Sequence, residues 1–266
     1  MIDVVVAGAA GRMGSRIVAL ARETADLRVV AALERPGHPA LGRDAGEVSG
    51  TGSLGVAITA DPKPVLARDR VLVEFTAPEA TVEHLRIAAA QGARAVIGTT
   101  GLAASQLREL TELAGRTAIL LSPNMSVGVN LAFRLLALMA KALGDEYDVE
   151  ITEIHHRLKK DAPSGTAAKM AEVIAEALGR DLGQVGVYGR HGVVGERGSK
   201  EIGVHALRGG DVVGEHTVVF STLGERLELT HRAHSRDTFA RGALRAIRFI
   251  ATAKPGLYSM QDVLKL

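Results

Sequence analysis

An apolar run that leads straight into a glycine-rich turn constrains the fold of this chain more than any other feature. Residues 2–7 are apolar except for Asp3 and predict a strand buried on both faces. The turn over residues 8–14 has the pattern G-x-x-G-x-x-G, and a helical pattern and a second apolar run, residues 27–33, follow it. This order predicts a dinucleotide-binding unit, because glycine lets the backbone approach a pyrophosphate at a helix N-terminus.

The residues that end the second apolar run bear on the choice of cofactor. Glu34 lies about 20 residues after Gly14, which is the distance expected for an acid that binds a ribose hydroxyl. Arg35 can pair with a 2′-phosphate, so the two side chains together indicate that both NADH and NADPH are accepted. Ala10 stands where the commoner glycine pattern has its second glycine. A tight turn without a ligand is the alternative.

Further apolar runs alternate with helical patterns along the first half of the chain. Residues 71–75, 93–97 and 118–121 predict three more buried strands, and residues 36–55 predict a long loop. Such alternation is typical of a Rossmann-like, doubly wound parallel sheet, which binds ligands at the carboxyl ends of its strands. Two loops at such ends are candidates for the nicotinamide side of the cofactor or are ordinary turns. Their residues are Gly98, Thr99 and Thr100, and Ser122, Pro123, Asn124 and Met125.

The second half of the chain has a different pattern. Residues 127–143 are apolar almost all round, which predicts a helix buried on several sides. Alternating segments at 148–154, 201–208, 217–222 and 226–231 predict an open mixed or antiparallel sheet with one helix on it, whose free face favours self-association.

A helix over 239–251 and a short apolar tail over 257–266 belong most naturally with the first sheet. We therefore expect a discontinuous dinucleotide-binding domain, residues 1–126 and 236–266. An α+β domain for substrate binding and oligomerisation is expected over residues 127–235.

The segment His155-His156-Arg157-Leu158-Lys159-Lys160-Asp161-Ala162-Pro163-Ser164-Gly165-Thr166 concentrates protonatable groups beside a helix start. Apolar residues at helical spacing follow up to residue 178, and Gly179 is placed to end the helix. Ser164 is the expected N-cap, so the N–H groups of Gly165 and Thr166 lie at the positive end of a helix, where anions bind. The segment predicts a pocket that holds a carboxylate or phosphate and donates a proton beside it; an ordinary solvated loop is the alternative.

Composition excludes several classes of protein. The chain has no cysteine, which rules out disulfides and thiolate nucleophiles. A net charge of +2, 3% aromatic residues and no tryptophan argue against nucleic-acid binding. No unbroken run of 18 apolar residues and no signal-peptide pattern occur, so we expect no membrane span and a cytoplasmic protein.

The glycine turn and the His-His segment together resemble the 4-hydroxy-tetrahydrodipicolinate (dihydrodipicolinate) reductase family over nearly the whole chain. The segments at 96–101, 126–130 and 214–217 are similar to that family as well. The resemblance implies reduction of a small cyclic dicarboxylate by NADH or NADPH with loss of water, in the diaminopimelate route to lysine, by a cytoplasmic homotetramer without a metal.

The resemblance also implies roles for particular residues. His155 and Lys159 match the proton donors, and His156, Gly165 and Thr166 match substrate-binding positions, with Ser164 expected to assist them. The expected cofactor-binding residues are Gly8, Ala9, Ala10, Gly11, Arg12, Met13, Glu34, Arg35, Gly98, Thr99, Thr100, Ser122, Pro123, Asn124 and Met125.

Three alternatives stay open at this point. One is another NAD(P)-dependent oxidoreductase on the same scaffold, such as an aspartate or homoserine-type dehydrogenase. The second is a nucleotide-sensing regulator without catalysis, which needs the glycine turn but not His155, His156 and Lys159 together. The third is a zinc hydrolase that uses the histidines, although no H-E-x-x-H motif occurs.

Overall fold

The computed structural model describes residues 1–266 and contains two compact units. The first unit comprises Met1–Val127 and Asp237–Leu266, and the second comprises Gly128–Arg236. The first contains a seven-stranded parallel sheet with helices and the second a five-stranded mixed sheet, which confirms the predicted fold class.

The sheet of the first unit has the order β12-β6-β5-β4-β1-β2-β3, and all neighbouring strands are parallel. Its strands are β1 (Ile2–Ala7), β2 (Leu27–Leu33), β3 (Ile58–Thr59), β4 (Arg70–Glu74), β5 (Arg94–Ile97), β6 (Ala118–Leu121) and β12 (Gly256–Tyr258). The chain passes from β2 and β3 on one side of β1 to β4 on the other, so the strand order reverses direction there. Ligands in doubly wound sheets bind at such a switch point.

Helices cover both faces of this sheet. They are α1 (Arg12–Arg22), α2 (Ala45–Val48), α3 (Pro78–Gln91), α4 (Ala104–Ala114), α8 (Asp237–Ile250) and α9 (Met260–Leu264). Residues of α1, α8 and α9 form one apolar core with alternate strand residues, whereas α3 and α4 form the second core on the opposite face. Strands buried on both faces are therefore continuous apolar runs.

The final segment of the chain completes the first unit. Arg16 in α1 forms a bidentate ion pair with Asp237 in α8, and both N–O distances are 2.8 Å. Arg248 pairs in the same way with Asp26. The tail expected over residues 257–266 contributes to a strand that pairs with β6 and then forms a short helix. Hydrophobic periodicity over so few residues did not indicate either element.

The prediction of an irregular loop over residues 36–55 is partly wrong, because α2 lies within it. The carboxylate of Asp44 organises this segment by accepting hydrogen bonds from four backbone N–H groups, those of Gly46, Glu47, Leu54 and Val56. An aspartate that caps a helix and also binds the returning chain gives order that hydrophobic periodicity does not reveal.

The mixed sheet of the second unit has the order β11-β10-β7-β9-β8. Its elements are β7 (Asp148–His155), β8 (Gly186–Tyr188), β9 (Ile202–Arg208), β10 (Gly214–Thr222), β11 (Glu225–Ala233), α5 (Val127–Leu143), α6 (Gly165–Ala177) and α7 (Leu182–Val185). One hydrophobic core joins one sheet face to α5 and α6. Two helices therefore contribute to this core, not the single helix that we expected.

Helix α5 is less buried than its apolar sequence predicts. Leu136 and Ala140 are fully buried in the core of the second unit, but Leu131, Leu135 and Leu138 are 41, 39 and 64% exposed. Residues 127–146 are long and apolar enough to cross a membrane, by length and composition alone. Core helices of soluble proteins meet the same criterion. The prediction of burial on several sides is wrong because apolar composition does not say how many neighbours a helix has.

Candidate active site

The first unit has a cavity of about 450 Å³ at the carboxyl ends of β1, β2 and β4, where the strand order reverses. Gly8, Ala10 and Gly11 of the glycine turn line it, together with Glu34 and Arg35 after β2. Five of the predicted cofactor residues therefore meet around one cavity at the switch point of the sheet.

The glycine turn brings the amino end of α1 against β1. Gly8 has a φ of +71°, and a Cβ there would lie 2.6 Å from the Phe75 carbonyl oxygen. A Cβ on Gly14 would lie 2.1 Å from the Gly8 carbonyl oxygen, so the helix approaches the turn more closely than any side chain permits. Gly11, the N-cap of α1, has no side chain to cap the helix. This uncapped helix start fits a pyrophosphate, and Arg12 and Met13 begin its first turn.

Glu34 connects the end of β2 to the glycine turn. Its Oε1 accepts a hydrogen bond from the Ala10 N–H at 3.0 Å, and its Oε2 accepts one from the Arg35 N–H at 3.2 Å. Glu34 is half-buried while Arg35 is exposed, so the carboxylate lies at the cavity wall with a guanidinium beside it. Ala9 is buried and packs in the core below the turn.

The two other predicted cofactor loops do not line this cavity. Gly98 and Ser122 directly follow β5 and β6, and their N–H groups donate to the carbonyls of Glu74 and Ile97 on the neighbouring strands. Both loops therefore lie at the carboxyl edge of the same sheet, on the β4 side of the switch point. Their residues are Gly98, Thr99, Thr100, Ser122, Pro123, Asn124 and Met125.

Internal contacts order these two loops. The Thr99 hydroxyl oxygen accepts hydrogen bonds from the Thr76 N–H and from the Thr81 hydroxyl. Ser122 donates from its hydroxyl to the Asn124 carbonyl at 2.8 Å. A Cβ on Gly242 of α8 would lie only 1.7 Å from the Met125 carbonyl oxygen, so α8 fixes the end of the second loop.

A buried acid beside the cavity was not predicted from the sequence. Glu74, at the end of β4, is fully buried and accepts hydrogen bonds from His84 Nδ1 at 2.8 Å and from the Thr76 hydroxyl. Burial lowers the pKa of His84, but the bond and charge of Glu74 raise it above its ordinary value. Glu74 lies within an apolar run and His84 within the next helix, and no local pattern connects them.

In the second unit, a polar cluster continues the apolar face of the sheet. Val149 and Ile151 of β7 pack in the core, and Glu153 and His155 follow on the same face. Arg208 lies opposite His155 on β9, and His216 lies opposite Glu153 on β10. Periodicity predicted where β7 ends, but the cross-strand partners depend on register.

His155 is held through one of its ring nitrogens. Its Nδ1 lies 2.6 Å from Glu153 Oε2. Burial raises the pKa of Glu153, but Arg208, His155 and the Ser164 N–H lower it more, so the carboxyl is ionised and only accepts. Nδ1 of His155 therefore carries a proton, and Nε2 is the nitrogen that can exchange one with a ligand. Burial, only partly offset by Glu153, lowers the pKa of His155.

Ser164 has the predicted N-cap position, and its Oγ accepts the Ala167 N–H at 3.2 Å. The same hydroxyl lies 3.1 Å from Nε2 of His216, to which it can donate. Burial, helped by the charge of His155, lowers the pKa of His216 to about 3, so this ring is neutral. Gly179 has a φ of +64°, as expected of the residue that ends α6.

The remaining predicted residues flank this cluster. Lys159 Nζ lies 2.9 and 2.8 Å from the two carboxylate oxygens of Asp161. The backbone N–H of Lys159 donates to the His156 carbonyl. Gly165 is exposed, and a Cβ on it would meet nothing within 4 Å, which leaves the backbone at the start of α6 approachable. Thr166 follows it in the first turn, and Nδ1 of His156 is buried without a hydrogen-bond partner.

The His, Asp and Glu side chains form no group of three or more that could hold a metal ion. The zinc hydrolase alternative therefore finds no set of ligands in this chain.

Comparison with known families decides between the alternatives. A family model described as "Dihydrodipicolinate reductase, N-terminus" matches residues 2–125, and one described as "Dihydrodipicolinate reductase, C-terminus" matches residues 128–264. The chain belongs to the dihydrodipicolinate reductase family. The predicted resemblance is thus confirmed, and the family covers both the glycine turn and the His-His segment.

Curated members of this family are similar to the chain over its full length. The 4-hydroxy-tetrahydrodipicolinate reductase of Syntrophus aciditrophicus is 52% identical and covers 99% of this chain and 98% of its own. The enzyme of the same name from Citrifermentans bemidjiense is 53% identical and covers 100% of both chains.

Two solved structures are similar to this chain, one from the same family and one from another. A dipicolinate-bound dihydrodipicolinate reductase from Paenisporosarcina sp. TG-14 has a TM-score of 0.79 at 26% identity and covers 98% of both chains. An amine dehydrogenase from Mycobacterium smegmatis has a TM-score of 0.61 at 16% identity and covers 97% of this chain and 95% of its own. The latter likeness is one of fold.

Proposed function

We propose that this protein reduces 4-hydroxy-tetrahydrodipicolinate to tetrahydrodipicolinate, with loss of water, in the diaminopimelate route to lysine. The first unit binds the nicotinamide nucleotide and the second binds the substrate. The observation that carries the proposal is the arrangement around Glu153, which holds both the imidazole of His155 and the amino end of α6. A proton donor next to an anion-binding helix end is what reduction of a cyclic diacid requires.

The residues of the second unit have distinct tasks in this mechanism. One substrate carboxylate binds the N–H groups of Gly165 and Thr166 at the start of α6, assisted by Ser164 and His156. Loss of the hydroxyl as water leaves a conjugated imine, and a bound NADH or NADPH supplies the hydride. The negative charge that develops on nitrogen or on the adjacent carbon takes a proton from Nε2 of His155. Lys159 contributes positive charge to the diacid and is the second candidate donor.

A cofactor oxidation assay tests the proposal. Substrate is generated in situ from pyruvate and aspartate semialdehyde, and the loss of reduced-nicotinamide absorbance is followed with NADH and with NADPH. We expect both nucleotides to be oxidised only when substrate is present. A flat trace with both nucleotides would contradict the proposal and favour a nucleotide-sensing regulator. We further propose that the enzyme is a cytoplasmic homotetramer, which sedimentation and cell fractionation test.

Lys159→Ala should lower kcat/KM by about 10²-fold or more, through both a lower kcat and a higher KM. The ammonium group is paired only with the exposed carboxylate of Asp161, which a diacid can replace. Steady-state kinetics with saturating nucleotide measure both constants. Lys160→Ala, which removes an exposed ammonium one residue away, is the control; unchanged constants in Lys159→Ala would contradict the assignment.

Arg35→Ala should raise KM for NADPH about tenfold and leave KM for NADH nearly unchanged, because only NADPH has a 2′-phosphate for the guanidinium to bind. Kinetics with each nucleotide measure the effect. Arg43→Ala removes an exposed guanidinium elsewhere in the same unit and serves as the control. Equal effects on both nucleotides would remove Arg35 from the choice of cofactor.

A further inference from the structure

Glu153 is the buried centre of the polar cluster in the second unit. Its Oε2 accepts a hydrogen bond from His155 Nδ1 at 2.6 Å, and its Oε1 accepts one from the Ser164 N–H at 3.0 Å. The guanidinium of Arg208 donates to both oxygens at 2.8 Å. The Glu153 side chain has no exposed surface, so it cannot touch a substrate and must act through these neighbours.

Arg208 extends the same cluster to the segment that carries Lys159. Its Nη2 also donates to the Asp161 carbonyl oxygen at 2.6 Å, while the Asp161 carboxylate accepts from Lys159. One carboxylate and one guanidinium therefore connect His155, the N-cap of α6 and the partner of Lys159. His155, Asp161 and Ser164 lie within one ten-residue segment, and Glu153 on β7 and Arg208 on β9 fix their relative places.

We propose that Glu153, clamped by Arg208, is the positioning residue of this site. It fixes His155 in the tautomer with the proton on Nδ1 and sets the place of His155 relative to the amino end of α6 and the Lys159 segment. The inference rests on the proposed function, in which Nε2 of His155 delivers the proton.

The tautomer follows from the hydrogen-bonding capacity of the groups. A carboxylate accepts and does not donate, so Nδ1 of His155 must donate to it, and Nε2 is the nitrogen that gains and loses a proton. Gly214 supports this placement from β10, because a Cβ there would lie 2.9 Å from Nε2. Without Glu153, no acceptor keeps the proton on Nδ1 of His155.

The charged groups around His155 predict how Glu153 affects the pH at which the His155 ring loses its proton. Glu153, Lys159, Arg208 and the neutral His216 are the titratable or charged groups that face the imidazole. Glu153 is the anion among them and stabilises the protonated ring. When it is neutralised, two cations remain and the ring loses its proton at a lower pH. A residue with a purely structural role would not move this titration.

The test compares Glu153→Gln with Glu150→Gln. Glu150 lies on the same strand and is also bonded to arginines and a histidine, but on the other face of the sheet. We expect Glu153→Gln to lower kcat at least about 10-fold and to leave NADH affinity unchanged, since an Asp→Asn change beside a catalytic histidine has such effects. The pH at which kcat/KM falls should move downward. Glu150→Gln should change none of these quantities.

A nitrogen NMR spectrum of ¹⁵N-histidine-labelled enzyme measures the tautomer without any assay of activity. The wild type should show a protonated Nδ1 on His155, assigned by its loss in a His155→Gln variant, and Glu153→Gln should show a mixture of tautomers. If Glu153→Gln keeps the wild-type tautomer and the wild-type pH profile, the proposal is overturned. If the wild type shows the expected tautomer but oxidises no cofactor with substrate, the proposed function fails and the positioning of His155 by Glu153 stands.

A second variant separates positioning from stability. Glu153→Gln leaves the largely buried Arg208 without its anion, which destabilises the fold, whereas Glu153→Gln/Arg208→Gln removes both charges. We expect the double variant to regain melting temperature relative to the single variant while kcat stays low and the tautomers stay mixed. Recovery of kcat together with melting temperature would show that Glu153 acts only on stability, and would overturn the proposal.

Discussion

His155→Gln is expected to lower kcat by about 10²-fold or more with little change in the dissociation constant for NADH or NADPH. Glutamine keeps a polar group near Glu153 but cannot give up a proton at neutral pH. The cavity that we propose for the nucleotide lies in the first unit and is lined by none of the residues around His155, so nucleotide affinity should not respond. Steady-state kinetics and calorimetric titration with the nucleotide measure the two quantities.

The pH profile makes this prediction sharper. A proton donor works only while it is protonated, so kcat/KM of the wild type should fall as the pH rises through the pKa of His155, which burial holds below its ordinary value. His155→Gln should lack this decline. His191→Gln, which changes an exposed histidine in a loop of the same unit, is the matched control. Wild-type turnover in His155→Gln would exclude His155 as the donor and leave Lys159.

Gly14→Ala is expected to weaken the binding of NADH and NADPH at least about tenfold. The added Cβ would lie 2.1 Å from the Gly8 carbonyl oxygen and 2.8 Å from the Ala9 Cα, and both are backbone atoms that no rotamer change can move. The helix must therefore shift away from the turn, and its amino end leaves the place of the pyrophosphate. Alanine also favours helix by about 1 kcal/mol over glycine, which this clash outweighs.

Calorimetric titration with each nucleotide measures the loss. Ser15→Ala, a change of similar size at the next position of α1, should bind both nucleotides as the wild type does. Gly14→Ala should also lower the melting temperature, since α1 packs on β1 and α8 through a shared core. Unchanged affinity in Gly14→Ala would mean that the close approach of α1 to the turn does not serve nucleotide binding.

The parts of the fold that follow from local physics were predictable. β1, β2, β6 and α5 have the predicted boundaries because apolar runs and turn residues define them. Ser164 and Gly179 cap α6 at its two ends as predicted, because capping depends on side chains and backbone angles within a few residues.

The parts that depend on partners distant in sequence were not predictable. Arg208 is 55 residues from Glu153 in sequence and contacts it because β9 pairs with β7 in one particular register. Local sequence patterns do not reveal that register. The pairing of Glu74 with His84 has the same origin in packing. The exposed leucines of α5 were not predictable either, because an apolar residue need not be buried within its own chain.

The discontinuous first unit has a consequence for how the chain is made. Ion pairs join α8 to α1 and to the segment before β2, and β12 forms the last strand at the edge of the sheet. A ribosome must therefore translate the whole second unit before the helix that covers one face of the nucleotide-binding sheet emerges. Until then, the apolar surface of β4, β5 and β6 that α8 covers is exposed and can bind chaperones, and we expect proteases to degrade nascent chains that stop early before they can bind a nucleotide.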